Sequence, residues 1–177
     1  MIRLPSTRLT SWMLPLMLCA CAATPKPGTP VPPPLQPDSS QRQAFSLLGK
    51  GVQIYRCDNA SGALKWVFVA PRAQLLDASG KEAGTHGAGP FWQGTDGSRI
   101  VGKPLQSVPS PNAGSIPWLL LSATNDGPAG KFSSVSRVQR LETAGGVAPA
   151  SGCDSPADQG RTVEVAYTAT YVFFVPG

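Results

Sequence analysis

A chain of 177 residues is enough for one ordinary domain and not two. Gly and Pro are abundant, 19 of each, and only 14% of residues are charged, yet 41% are hydrophobic, which argues against a wholly disordered chain. The formal charge is +5 with Lys and Arg scattered singly, so no nucleic-acid partner is expected.

Residues 1–20 read as a lipoprotein signal peptide. Arg3 and Arg8 form a positive start, and Leu9 to Leu18 is apolar. At about ten residues this stretch is too short for a permanent span, which takes roughly 20. It ends in Leu18-Cys19-Ala20-Cys21, which resembles the lipobox of bacterial lipoproteins: Leu three before the modified cysteine and a small residue just before it. Cys21 fits that register and Cys19 does not. The resemblance implies a diacylglycerol on the Cys21 sulfur and a third acyl chain on the new amino group, and two or more chains anchor stably where one does not. The other reading is a plain secretory signal cut near Ala20 or Ala23. Ala22, not Asp, follows the cysteine. By resemblance to the enterobacterial sorting rule, that favours a periplasm-facing outer-membrane lipoprotein, whose membrane partner is reached through Cys21. Loss of Arg3 and Arg8 leaves 13 basic against 10 acidic residues, a charge of +3.

Residues 21–40 combine the lipidated cysteine with a proline-rich tether. Seven of the sixteen residues from Ala22 to Pro37 are proline, which favours extended polyproline backbone. At about 3.1 Å per residue it spans on the order of 50 Å.

Residues 41–177 form the domain, and their punctuation is all-β: short apolar runs bounded by Gly, Pro, Asn and Asp. Ala44 to Leu48 is expected to make a short helical turn. Gly51 to Cys57 alternates, with Gln53, Tyr55 and Cys57 on one face and Val52, Ile54 and Arg56 on the other. Leu64 to Val69 is a second strand, stopped by Ala70-Pro71. Asp96-Gly97-Ser98 reads as a hairpin turn leading into a strand that runs to Gly102. Ile116 to Ala123 is apolar on both faces, and Val135 to Leu141 alternates weakly. Arg161 to Val175 is clearest, with Val163, Val165, Tyr167, Ala169, Tyr171, Phe173 and Val175 on one parity. The expected fold is a single small sandwich or barrel of about eight strands with short helical turns. With Cys19 cleaved and Cys21 lipidated, Cys57 and Cys153 remain, and in an oxidising envelope they are expected to form one disulfide.

Several segments in order resemble the domain of unknown function 3455 family: Gly51-Val52-Gln53-Ile54-Tyr55-Arg56-Cys57, Trp66-Val67-Phe68-Val69-Ala70-Pro71 and His86-Gly87-Ala88-Gly89-Pro90-Phe91-Trp92. The likeness continues through Asp96-Gly97-Ser98, Ile116-Pro117-Trp118-Leu119-Leu120-Leu121, Val138-Gln139-Arg140, Gly145-Gly146-Val147-Ala148-Pro149 and Tyr167-Thr168-Ala169-Thr170-Tyr171-Val172-Phe173. The resemblance implies a small β-rich secreted or envelope protein, with no established activity attached. The family pattern carries an aromatic after the histidine, where this chain has Gly87.

Chemistry-bearing residues are few. His86 is the only histidine, so neither a multi-histidine metal site nor a cofactor is expected. A Ser-His-Asp arrangement would need His86 with Asp96, and no Gly-x-Ser-x-Gly elbow accompanies them. The segment from Gly84 to Trp92 reads as a tight loop that sets a histidine beside aromatics in glycine-rich backbone, and His86, Trp92 and Asp96 are the binding candidates. As a binding site they would share one concavity with His86 partly exposed; as a packing residue, His86 would be buried against a backbone carbonyl. Trp66 and Trp118 are expected to pack in the core, and Arg140 to be a surface strand charge, its other reading being a pair with a buried acid or an anion. The leading functional reading is a non-enzymatic envelope module binding a small molecule, a glycan or another envelope protein. The rivals are a hydrolase-like enzyme using His86 and Asp96, and a purely structural lipoprotein.

Overall fold

The computed structural model describes residues 29–177, so the expected signal peptide and Cys21 lie outside the described residues. Eight antiparallel strands follow one another around a closed barrel: β1 (Gln41–Ala60), β2 (Ala63–Leu76), β3 (Glu82–Gly87), β4 (Phe91–Gly94), β5 (Arg99–Val108), β6 (Trp118–Asn125), β7 (Arg137–Gly145) and β8 (Thr162–Pro176). Closure comes from β1 pairing with β8 from Gln41↔Pro176 to Arg56↔Thr162. The ring leaves no free edge along that seam. Of the two all-β architectures expected, the chain adopts the barrel.

The alternation of β8 is the ordering principle of the interior. Tyr167, Ala169, Tyr171, Phe173 and Val175 point inward and join Leu47, Leu75, Trp92, Ile100, Leu121 and Val138 in one core. An eight-stranded barrel is narrow, so side chains fill most of it. Two glycines make room for the largest of them. A Cβ on Gly49 would lie 2.5 Å from the Tyr171 ring, and one on Gly102 would lie 2.7 Å from Trp92. At one end Phe45, Phe132 and Phe173 plug the lumen, with ring centroids 4.8 to 5.4 Å apart.

Three local expectations are corrected. Ala44 to Leu48 is β1 and not a helical turn, because its partners Phe173, Val172, Tyr171 and Thr170 extend it as a strand. The second strand does not stop at Ala70-Pro71. Val69 is a bulge between the pairs Tyr55↔Phe68 and Ile54↔Ala70, and β2 continues to Leu76. The glycine-rich stretch holding His86 is not a loop: it forms β3, a tight turn and β4, with His86 opposite Trp92.

A second apolar cluster lies outside the barrel. Trp118, Leu120, Leu141 and Val172 face outward from β6, β7 and β8, and the 3₁₀ turn Pro33–Leu35 covers them, with Leu35 fully buried. Gln139 donates from Nε2 to the Leu35 carbonyl at 2.7 Å. The last part of the proline-rich stretch is therefore folded onto the barrel wall. Trp118 is buried there, outside the lumen, while Trp66 is half-buried and donates from Nε1 to the Ser151 carbonyl at 3.0 Å.

Cys57 and Cys153 are disulfide-bonded, with Cα atoms 5.4 Å apart. The bond ties the end of β1 to the long β7–β8 loop. Tyr55 adds a second tie to that loop, donating from its hydroxyl to the Gly146 carbonyl at 2.6 Å.

Candidate functional site

The barrel wall is open between β2 and β5, and strand lengths explain why. β3 and β4 have 6 and 4 residues, between a β2 of 14 and a β5 of 10. β3 pairs with β2 only at Ala73–Leu76, and β4 pairs with β5 only at Arg99–Val101. Above the β3–β4 turn, both flanking strands therefore have a neighbour on one side only. Each carries a proline there, Pro71 and Pro104, a residue tolerated where one edge of a strand is free. Each also carries a bulge, at Val69 and at Leu105, and Val69 and Leu105 are exposed apolar residues.

The gap opens on a cavity of about 320 Å³. Phe68, Val69, Pro71, Pro90, Leu119 and Leu121 supply an apolar wall. His86, Trp92, Tyr171 and Arg140 line the same space and supply its polar atoms. That size falls at the low end of the roughly 300–1,000 Å³ found for ligand pockets, as does the mix of apolar wall and few polar groups.

His86 is buried, 4% exposed, and its Nδ1 donates to the Phe91 carbonyl at 2.7 Å, which leaves Nε2 as an acceptor in the neutral ring. The ring stacks on Trp92 with centroids 4.6 Å apart and lies 4.9 Å from Tyr171. Burial pushes its pKa down to about 3, nearby Arg140 adds to the depression, and the Phe91 carbonyl opposes it. His86 is neutral at any ordinary pH. Trp92 is 1% exposed and its indole N–H has no partner among the described residues.

Arg140 reverses its expected placement. The parity of β7 sends it into the lumen, where it lines the cavity. Its Nε and Nη2 donate to the Pro117 carbonyl at 3.1 and 2.8 Å. The guanidinium also faces the hydroxyls of Tyr171, Tyr167 and Tyr55, and the first two of these are 3.1 Å apart. Burial pulls the Arg140 pKa down, with the tyrosines opposing. Among the described residues no carboxylate forms an ion pair with it.

Asp96 is not part of this cavity. It sits in the β4–β5 turn, where Oδ1 accepts from the Ser98 N–H at 3.0 Å and the Ser98 hydroxyl at 2.6 Å, and Oδ2 accepts from the Lys131 N–H at 2.7 Å. Ser98 in turn accepts from the Phe132 N–H at 3.1 Å. Asp96 thus latches the β6–β7 loop and seats Phe132 in the plug. The Lys131 amide, then Ser98, holds its carboxyl below the usual carboxylate range. His86 and Asp96 share no hydrogen bond, and Glu82 makes none to His86. Among the described residues no three His, Cys, Asp or Glu side chains group to hold a metal ion.

Of the sequence candidates, the fold brings His86 and Trp92 together and leaves Asp96 at the plugged end. Sequence reasoning missed Arg140 and Tyr171 as cavity residues. The signal was available for Tyr171, which lies on the inward parity of β8, but β7 alternates too weakly to orient Arg140.

The family model described as Protein of unknown function (DUF3455) matches residues 37–175. The chain belongs to that family. No curated protein and no solved structure matches it. At the position where the family pattern was expected to carry an aromatic after the histidine, this DUF3455 chain has Gly87 packed under Phe91. A Cβ on Gly87 would lie 2.4 Å from the Phe91 ring, so that ring already covers the site of a larger side chain.

Proposed function

We propose that this DUF3455 chain is an envelope-anchored lipoprotein whose barrel is a non-enzymatic binding module for a small, largely apolar ligand. The observation that carries the reading is the cavity beneath the β3–β4 gap: about 320 Å³, walled by Phe68, Leu119 and Leu121, with Arg140 and His86 in its lining. Phe68 and Val69, 52% and 51% exposed, leave apolar surface in water at its mouth, which a ligand would cover. The anchoring part rests on Leu18-Cys19-Ala20-Cys21, and the Cys57–Cys153 bond suits an oxidising compartment. A hydrolase centred on His86 and Asp96 has less support, since each is engaged by backbone groups and not by the other. Isothermal titration calorimetry with ten-carbon probes, decanol and decanoate, tests the binding reading. Saturable one-to-one binding of at least one is expected, and absence of binding by both refutes it.

A further inference from the structure

The cavity wall carries one formal charge, and it is positive. None of its twelve lining residues is Asp or Glu, and Arg140 is the one lining cation. A guanidinium offers five N–H donors. Two of those of Arg140 are spent on the Pro117 carbonyl, which fixes the plane of the group, and its other polar neighbours are tyrosine hydroxyls and the neutral His86 ring. Arg140 is half-buried, and a cation partly withdrawn from water is costly unless an opposite charge completes it; here the fold supplies carbonyl and hydroxyl dipoles but no anion. A second donor waits close by, because Trp92 lines the same cavity and its buried indole N–H has no partner among the described residues. Beyond these groups and the polar atoms of His86 and Tyr171, the wall is apolar.

We infer that the cavity takes a monoanionic amphiphile: a carboxylate head paired with Arg140, carried on an apolar body that fills the space between Phe68, Leu119 and Trp92. This deepens the binding-module reading and rests on it. One cation matches one negative charge. The stacked His86 stays neutral and adds none, so a doubly charged phosphate head would bring uncompensated charge against apolar walls. Guanidinium and carboxylate pair in a planar, two-bond geometry, which a neutral alcohol head does not reproduce.

The test uses the mature chain carrying Cys21→Ser, which has no acyl chain of its own, titrated at pH 7.5 by calorimetry with decanoate and with decanol. The two probes share a body and differ in head. Decanoate is expected to bind at least tenfold more tightly than decanol. Arg140→Gln should bring decanoate down to the level of decanol, and Arg140→Lys should keep part of the preference. Equal affinity of wild type for the two probes overturns the inference while leaving the binding module standing. Should Arg140→Gln fail to fold, the wild-type comparison decides by itself. Binding of neither probe overturns both the inference and the function on which it rests.

Discussion

His86 makes acid stability a direct readout of the barrel interior. It is the chain's only histidine, 4% exposed, with its pKa pushed down to about 3 from an ordinary value of 6.5. Between those values the unfolded chain binds a proton at this residue and the folded chain does not. Stability from His86 is therefore complete above about pH 6.5 and is lost as pH falls toward 3. Each pH unit in that window costs about 1.4 kcal/mol, so at pH 4.5 the loss is about 2.7 kcal/mol from this residue alone. For a domain of this size that lowers Tm by roughly 5–10 °C between pH 7 and pH 4.5. The carboxylates with lowered pKa, Asp38, Asp58, Asp77, Asp96 and Asp158, lose their stabilising charge at lower pH still, so this window belongs to the histidine. Thermal melts by near-ultraviolet circular dichroism at pH 7.5, 6.5, 5.5 and 4.5 measure the slope. His86→Gln is expected to start from a lower Tm at pH 7.5 and to show almost no slope down to pH 4.5. A flat wild-type profile, or an equal slope in His86→Gln, refutes the reasoning.

Other outcomes follow from single contacts. Replacing Cys57 and Cys153 by Ala opens a link across 96 residues and should destabilise by about 4.7 kcal/mol on the chain-entropy estimate, read by denaturant unfolding. Leu35→Ala, at a fully buried position in the docked proline-rich segment, should cost about 2–4 kcal/mol, and a loss below about 0.5 kcal/mol would mean the segment does not pack on the wall in solution. Asp96→Ala removes the acceptor of the Lys131 N–H and should lower Tm and loosen the β6–β7 loop in hydrogen exchange, without changing ligand affinity. Mass spectrometry of the mature amino terminus should find a triacylated Cys21, and a free Ala22 or Thr24 terminus would remove the anchoring proposal.

The all-β class, the parity of β8 and the Cys57–Cys153 pair were legible along the chain, because each depends on local alternation or on elimination among four cysteines. Other features were misread for physical reasons. A five-residue apolar run such as Ala44 to Leu48 suits a helical turn or a strand equally, and only pairing with β8 decides. Gly84, Gly87 and Gly94 make β3 and β4 look like loop, but the Gln93 backbone, the Phe91 ring and the Phe132 ring occupy the space that a side chain there would need.

The sequence by itself determined that strands would form, which face of β8 is apolar and which cysteines could pair, since these follow from side-chain alternation and composition. Tertiary structure alone decided that the strands close into a ring, that Leu35 folds back on the wall, and that Arg140 points inward while Asp96 does not join His86. Those are consequences of register between segments up to about 135 residues apart, as in Gln41↔Pro176. A shift of one residue there exchanges inside for outside, and no local pattern in β7 specifies which face of Arg140 wins.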